Sequence, residues 1–177
     1  ISEVSNVENI NILGRNGGVC EVFQPAAGLD PGQIGNIQRY LDAVRSNLLF
    51  AKSVLLVEGD AEEILVPILI RQVFGLSLDE LGTSLINIRS TGFENVAVLF
   101  HDMRIRKNCA IITDLDQAFI DLTPDPLDSD AEIKAKSRAL GSQTSGAARS
   151  ARLNAFCHDN AWLSAHFAQH TFEVDFI

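Results

Sequence analysis

Two short apolar runs, each ending abruptly in carboxylates, constrain this chain more than any other feature. Ser53-Val54-Leu55-Leu56-Val57 stops at Glu58-Gly59-Asp60, and Cys109-Ala110-Ile111-Ile112 stops at Thr113-Asp114-Leu115-Asp116. Runs that stay apolar, rather than alternating with polar residues, belong to strands buried on both faces, as in a parallel sheet covered by helices. A helical pattern begins directly after the first run. There Asp60 and Glu63 have the spacing of a capping box. Glu62 and Glu63 fall in the first turn, where the helix dipole favours negative charge, and Pro67 should bend the helix. A further strand is expected at Leu85-Ile86-Asn87-Ile88, then a loop from Arg89 to Gly92 and a helix from Phe93 to Met103. Strand and helix alternating at this rhythm predict right-handed crossovers and a parallel sheet, which is the α/β class.

The flanking segments are read in the same way. Residues 1–30 are rich in Asn and Gly and predict short strands or loops. From Pro31 to about Phe50, the apolar positions Ile34, Ile37, Leu41, Val44 and Leu48 place one stripe on a helix. Leu122 to Asp130 is a turn-rich acidic loop, followed by expected helices from about Ala131 to Leu140 and from Ala147 to Cys157, separated by Gly141–Gly146. Leu163 to Phe172 predicts a fourth strand that delivers Glu173 and Asp175 at its end, and no internal repeat is present.

Length and composition bound the function class. At 177 residues, 46% hydrophobic and 21% charged, the chain is sized for one globular domain and is too apolar for disorder. No run approaches the roughly 20 apolar residues of a membrane helix, and the first residues lack a signal-peptide plan. No membrane partner is therefore expected. Cys20, Cys109 and Cys157 are scattered and odd in number, which predicts a reducing, cytoplasmic setting. The start at Ile1 and the stop at Phe176-Ile177 lead to the expectation of a fragment of a longer protein. The net charge of −9 counts against a classical nucleic-acid binder. Its distribution is uneven: between Ile133 and His158 there are five basic residues, Lys134, Lys136, Arg138, Arg149 and Arg152, and no acidic ones. That stretch reads either as a surface that touches the phosphates of DNA or as a solvated basic face.

Ligands of open parallel sheets gather outside the carboxyl ends of the strands. Glu58, with Glu62 one turn on, the pair Asp114 and Asp116, and Glu173 are all expected at that edge. So many carboxylates repel unless cations sit between them. Oxygen ligands without Cys or His suit Mg²⁺ or Mn²⁺. Singly, each piece is ambiguous, since Glu62 could be a helix-start residue and Asp-x-Asp an exposed turn. Apolar strand, EGxxE, 56 residues from Glu58 to Asp114, then apolar strand and TDLD is a far more specific combination.

This combination resembles the Toprim catalytic fold of topoisomerases, DnaG-type primases and several nucleases. More narrowly, FAKSVLLVEGDAEEILVPIL followed by CAIITDLD resembles the C-terminal nuclease region of the OLD (overcoming lysogenization defect) family, bacterial and phage endonucleases with an ABC-type ATPase ahead of the Toprim domain. The resemblance runs from about Gln38 to the end, with no motif in Glu94–Lys107 or Pro124–Trp162, and takes in the late segment Thr171-Phe172-Glu173-Val174-Asp175. It implies a Toprim-like parallel sheet flanked by helices, with a helical insertion after the third strand at about 124–162. Residues 1–50 would then be a lead-in to an absent ATPase region, and residues 51–177 a catalytic domain truncated at its C-terminus. It implies that Glu58, Glu62, Asp114 and Asp116 are catalytic metal ligands and that Glu173 serves a second metal. The activity implied is DNA cleavage by two Mg²⁺ or Mn²⁺ ions about 4 Å apart, leaving 5′-phosphate and 3′-hydroxyl ends. The partners implied are DNA, the ATPase region, a helicase and further copies of the full-length protein. Two departures stand out: no GxxxxGK[ST] loop is present, and no lysine follows Lys136, where the family places a catalytic one further on.

Other readings stay open at this point. IITDLDQAF also resembles the nucleophile motif of HAD phosphatases, although there the motif opens the domain. A non-catalytic scaffold could use the carboxylates to hold a structural metal and the Ile34–Leu48 stripe to bind a partner. Tyr40, the only tyrosine, lies in the leading helix, which disfavours a topoisomerase with a tyrosine nucleophile. His166 and His170 are four apart but lie in a segment that reads as strand, and Trp162, Phe167 and Phe172 read as core. Thr113 is placed to hydrogen-bond a metal ligand.

Overall fold

The computed structural model describes residues 6–16, 18–41, 45–89 and 92–175. Strands β1 (Ile12–Asn16) and β2 (Val19–Phe23) form an antiparallel hairpin, turned through Gly18 at φ +88°, a left-handed value that favours glycine. Helix α1 (Pro31–Tyr40) starts with Pro at its first position and a capping box between Asp30 and Gln33. The helix stops there rather than running to Phe50. Leu48 and Leu49 are buried from a separate 3-10 turn, Arg45–Leu49, and Val44 of the expected stripe lies outside the described residues.

Strand β3 (Ser53–Val57) leads into α2 (Asp60–Phe74), which contains Pro67 and ends on Gly75, left-handed at φ +72°. The short α3 (Leu78–Leu81) precedes β4 (Thr83–Asn87), which begins two residues before the expected strand. Helix α4 covers only Glu94–Ala97. The expected continuation to Met103 does not form: the Leu99 and Phe100 amides bond only three residues back, to Val96 and Ala97, and Leu99 and His101 then pair with Ile105 through their backbones. Arg104 instead turns the chain, its Nε donating to the Val98 carbonyl at 2.6 Å and its Nη1 to Ala27 at 3.2 Å.

Strand β5 (Asn108–Asp114) carries the second carboxylate motif. Helix α5 (Asp130–Cys157) follows as one continuous 28-residue helix, where two helices with a flexible joint were expected. Its start is a Ser129–Glu132 capping box. Strand β6 (Leu163–Ala168) is shorter than expected, and the next residues form a single helical turn, α6 (Phe172–Asp175). Glu173 therefore sits on a helical turn and not at a strand end.

The four strands β4-β3-β5-β6 form one parallel sheet in that order, flanked by helices. The fold is the expected α/β class, with α5 between its third and fourth strands in chain order. Val54 and Leu56 of β3 and Cys109 and Ile111 of β5 join Ile37, Leu48, Leu49, Phe93, Leu99 and Phe100 in the core. With β3 and β5 adjacent and parallel, Glu58 and Asp114 emerge side by side at one edge. No helix among the described residues is long and apolar enough to cross a membrane.

Candidate metal centre

Glu58 follows β3 directly, and its Oε2 accepts a 2.7 Å hydrogen bond from the hydroxyl of Thr113, the buried penultimate residue of β5. Thr113 thus ties the two strand-end motifs together. Glu62, one turn into α2, is 7% exposed although it carries a carboxylate. Its Oε2 lies 3.0 Å from where a side chain on Gly59 would place its first carbon, so the carboxylate folds back over the strand–helix junction. Glycine at 59 leaves that room; its φ of −135° is ordinary extended backbone.

Asp60 and Glu63 do not form the expected capping box, because the cap position is Gly59 and no side chain caps the helix. Both carboxylates instead accept from Asn87 Nδ2, each at 2.8 Å, which anchors the end of β4 to the first turn of α2. Asn87 Oδ1 in turn accepts from the Arg89 amide at 2.8 Å, and Arg89 is held at φ +55°.

The Asp114-Leu115-Asp116 segment is clamped from two sides. The Leu115 amide donates to Ala168 of β6 at 2.9 Å, and the Phe172 amide donates to Asp114 Oδ2 at 3.2 Å. The backbone at Glu173 is thereby brought beside the cluster, while its side chain is outside the described residues. Asp116 adopts φ +53°, a left-handed conformation that Asp tolerates better than most residues and that turns its carboxylate away from the extended path of the strand.

On the other side lies α5. A side chain on Gly146 would put its first carbon 2.2 Å from the Leu115 carbonyl oxygen, so this helix packs directly on the Asp114–Asp116 backbone. One turn on, Arg149 turns inward and is 7% exposed. Its Nη2 donates to the Asp114 carbonyl at 2.7 Å, to Asp114 Oδ1 at 3.1 Å and to Asp116 Oδ2 at 3.0 Å, and lies 3.8 Å from Glu58 Oε2. Leu153, a further turn along the same face, is fully buried. Gln143, one turn before Gly146, accepts from the Ala118 amide at 3.1 Å. A single helical face thus holds the whole loop.

These contacts correct one part of the sequence reading. Arg149 does not belong to an exposed basic face; Gly146 lets its helix dock so closely that the guanidinium reaches the carboxylates. The other basic candidates scatter. Lys136 pairs with Asp128 at 2.7 Å and Arg152 with Glu94, whereas Lys134 and Arg138 are exposed and one turn apart. The signal for the Arg149 contact was present in the Gly141–Ala148 stretch, since interior helix glycine is unfavourable by about 1 kcal/mol relative to alanine and calls for a packing reason.

The electrostatics follow from this crowding. Burial first, then the Asp116 and Glu58 carboxylates, push the Asp114 carboxyl up to about 6; the Phe172 amide and the Arg149 guanidinium pull the other way. The donor set, all hard carboxylate oxygens with an excess of negative charge, fits a divalent cation such as Mg²⁺ or Mn²⁺ in chemistry. In this arrangement the carboxylates surround Arg149, and no three of the described His, Cys, Asp or Glu residues are drawn together closely enough to hold an ion. The histidines form no such group: His166 bonds Ser164 at 3.1 Å, and His170 bonds Asp175 at 2.7 Å and stacks on Phe119.

Residues 49–116, from the lead-in of β3 through the second aspartate of TDLD, match the family described as "Overcoming lysogenization defect protein-like, TOPRIM domain". This segment is similar to an OLD-like Toprim domain. Among solved structures, the C-terminal region of the Burkholderia pseudomallei OLD protein is 22% identical over 70% of this chain and 56% of that one, with a TM-score of 0.42. The C-terminal region of the Xanthomonas campestris pv. campestris OLD protein is 27% identical over 52% of this chain and 50% of that one, with a TM-score of 0.36. The chain spans about half the length of these solved regions. No curated protein matches it. Both carboxylate motifs, and the Thr113–Glu58 bond that joins them, lie within the OLD-like Toprim segment; Arg149, Gly146 and α5 lie beyond it.

Proposed function

We propose that this chain is the DNA-cleaving part of a larger ATPase–nuclease, hydrolysing phosphodiester bonds with divalent metal. The observation that carries the reading is the convergence of Glu58, Asp114 and Asp116, from the ends of two adjacent parallel strands, on one buried point of positive charge. Glu58, Glu62, Asp114 and Asp116 would hold Mg²⁺ or Mn²⁺, with Glu173 close enough in the backbone to contribute to a second ion. Bound metal would supply the positive charge that activates water and stabilises the departing oxygen. Thr113 holds the Glu58 carboxylate in place, and the Phe172 amide fixes one oxygen of Asp114. The exposed pair Lys134 and Arg138 supplies a phosphate-tracking surface that the acidic body lacks. Residues 1–50 would join an ABC-type ATPase region, and residues 51–177 would form the catalytic part, with α5 as its insertion. A helicase partner and self-association of the longer protein belong to the same reading.

The test is direct. Supercoiled and linear DNA are incubated with the chain and Mg²⁺, Mn²⁺, Ca²⁺ or EDTA, without ATP, alongside Glu58→Gln. Nicking or degradation with Mg²⁺ or Mn²⁺, lost with EDTA and at least 100-fold slower in a folded Glu58→Gln variant, is the expected result. Intact DNA with every metal, in this chain and in a longer one, would refute the reading. A second reading rests on Arg149 itself: carboxylates neutralised by an internal arginine can serve the fold alone. It predicts no cleavage and no effect of divalent ions on the unfolding transition.

A further inference from the structure

The guanidinium of Arg149 occupies the middle of the carboxylate group. A single nitrogen, Nη2, touches the Asp114 carbonyl, Asp114 Oδ1 and Asp116 Oδ2, and stands 3.8 Å from Glu58 Oε2. The other side of the same guanidinium is poorly satisfied, since its Nε is buried without any hydrogen-bond partner. Buried guanidinium donors normally all find acceptors, because desolvating an N–H without replacing its bond to water is unfavourable. The side chain is therefore held through Nη2 and the carboxylates around it, while Nε contributes no bond. The seat is also electrostatically incomplete: one positive charge faces three carboxylates. A divalent ion brings twice the charge and shorter contacts to the same oxygens.

We propose that Arg149 is the resident counter-cation of this centre, and that a divalent cation gains the carboxylates by displacing its guanidinium. This rests on the reading above that the cluster binds metal. The two cannot share the cluster as it stands, because Asp114 and Asp116 both turn an oxygen toward Nη2. Like charges close together in a site of low polarity repel strongly. Arg149 thus lowers the affinity for metal while keeping the empty centre folded, and its release from the cluster accompanies loading. Gly146 sets the threshold, since it allows α5 to approach close enough for Arg149 to reach.

The experiment measures binding and not turnover. Mg²⁺ and Mn²⁺ affinities are determined by titration calorimetry for the chain and for Arg149→Met, which keeps much of the bulk without the charge. The expected result is an affinity at least tenfold tighter in the variant. Equal or weaker affinity in a folded Arg149→Met overturns the proposal and leaves the metal reading intact. Absence of binding in both proteins at millimolar Mn²⁺ overturns both. Should Arg149→Met fail to fold, the Nε–H resonance of Arg149 in the unaltered chain decides. Shielded from water without metal, this proton should exchange with solvent at least tenfold faster when Mg²⁺ saturates the protein. Unchanged or slower exchange overturns the proposal.

Discussion

Replacing Gly146 with alanine isolates the docking of α5 from everything else at the site. The added carbon would stand 2.2 Å from the Leu115 carbonyl oxygen, 2.6 Å from its carbonyl carbon and 3.1 Å from its Cα, whereas ordinary contacts are 3.4–4 Å. All three obstacles are backbone, so no rotamer change relieves them. Helix and loop must separate by more than 1 Å, and Leu115 is itself held to β6 through its amide. Overpacking of this kind typically destabilises by about 1–3 kcal/mol, against a gain of about 1 kcal/mol from exchanging glycine for alanine in a helix. Backbone overlap on three atoms, with the Arg149 contacts loosened besides, places the clash at or above the top of that range and the net loss at about 2 kcal/mol or more. Gly141 supplies the control: it lies in the same helix with nothing within 4 Å of an added carbon. Gly141→Ala should therefore stabilise by about 0.5–1 kcal/mol. Urea unfolding in EDTA, read as midpoints at constant slope, compares the two. If Gly146→Ala matched Gly141→Ala in sign and size, the close seating of α5 on the Asp114–Asp116 loop would be wrong.

Two further outcomes are expected. The Asp114 carboxyl is pushed up to about 6 in the folded state from an ordinary 3.8, so the folded chain binds this proton more tightly than the unfolded chain. Its contribution to stability is then present below about pH 4 and is lost as pH rises to about 6, by about 1–2 kcal/mol once solvent screening of this half-buried group is allowed for; Asp114→Asn should flatten that slope in EDTA, and an unchanged slope would count against the crowding described. Neutralising Lys134 and Arg138 together should lower the slope of log affinity against log salt for DNA by about 1–2, which filter or fluorescence binding at several salt concentrations would detect, an unchanged slope marking these residues as a solvated face.

The parts of the fold that were legible in the sequence share one physical trait: their signal is local. Strands β3 and β5 are uninterrupted apolar runs, with Val54, Leu56, Cys109 and Ile111 fully buried on one face and Leu55, Ala110 and Ile112 half-buried on the other, and the carboxylates that end them mark the edge where ligands collect. Pro67 within α2 could likewise be placed from neighbours a few residues away. Misplaced elements are those whose local signal was overridden by contacts from elsewhere. Helix α5 runs unbroken through Gly141–Gly146, a stretch with low helix propensity, because its face from Gln143 to Leu153 is fastened to the loop after β5. Helix α4 ends early because the Leu99 and His101 backbones pair with Ile105 instead of continuing the helix, and β6 gives way to a turn whose Phe172 amide is used by Asp114.

Residue identity and spacing alone determined the α/β class, the two carboxylate motifs and their position at the strand ends, since alternation of strand and helix leaves few ways to bury such runs. The destination of Arg149 was decided only by tertiary structure. Along the chain it is one of five cations in an acid-free stretch, 35 positions after Asp114. Which of them turns inward depends on where α5 lands, and that depends on the missing side chain of Gly146 against the Leu115 carbonyl. Charge can be read from a sequence, but the partner it finds is set by distances that exist only after the sheet and helix have packed.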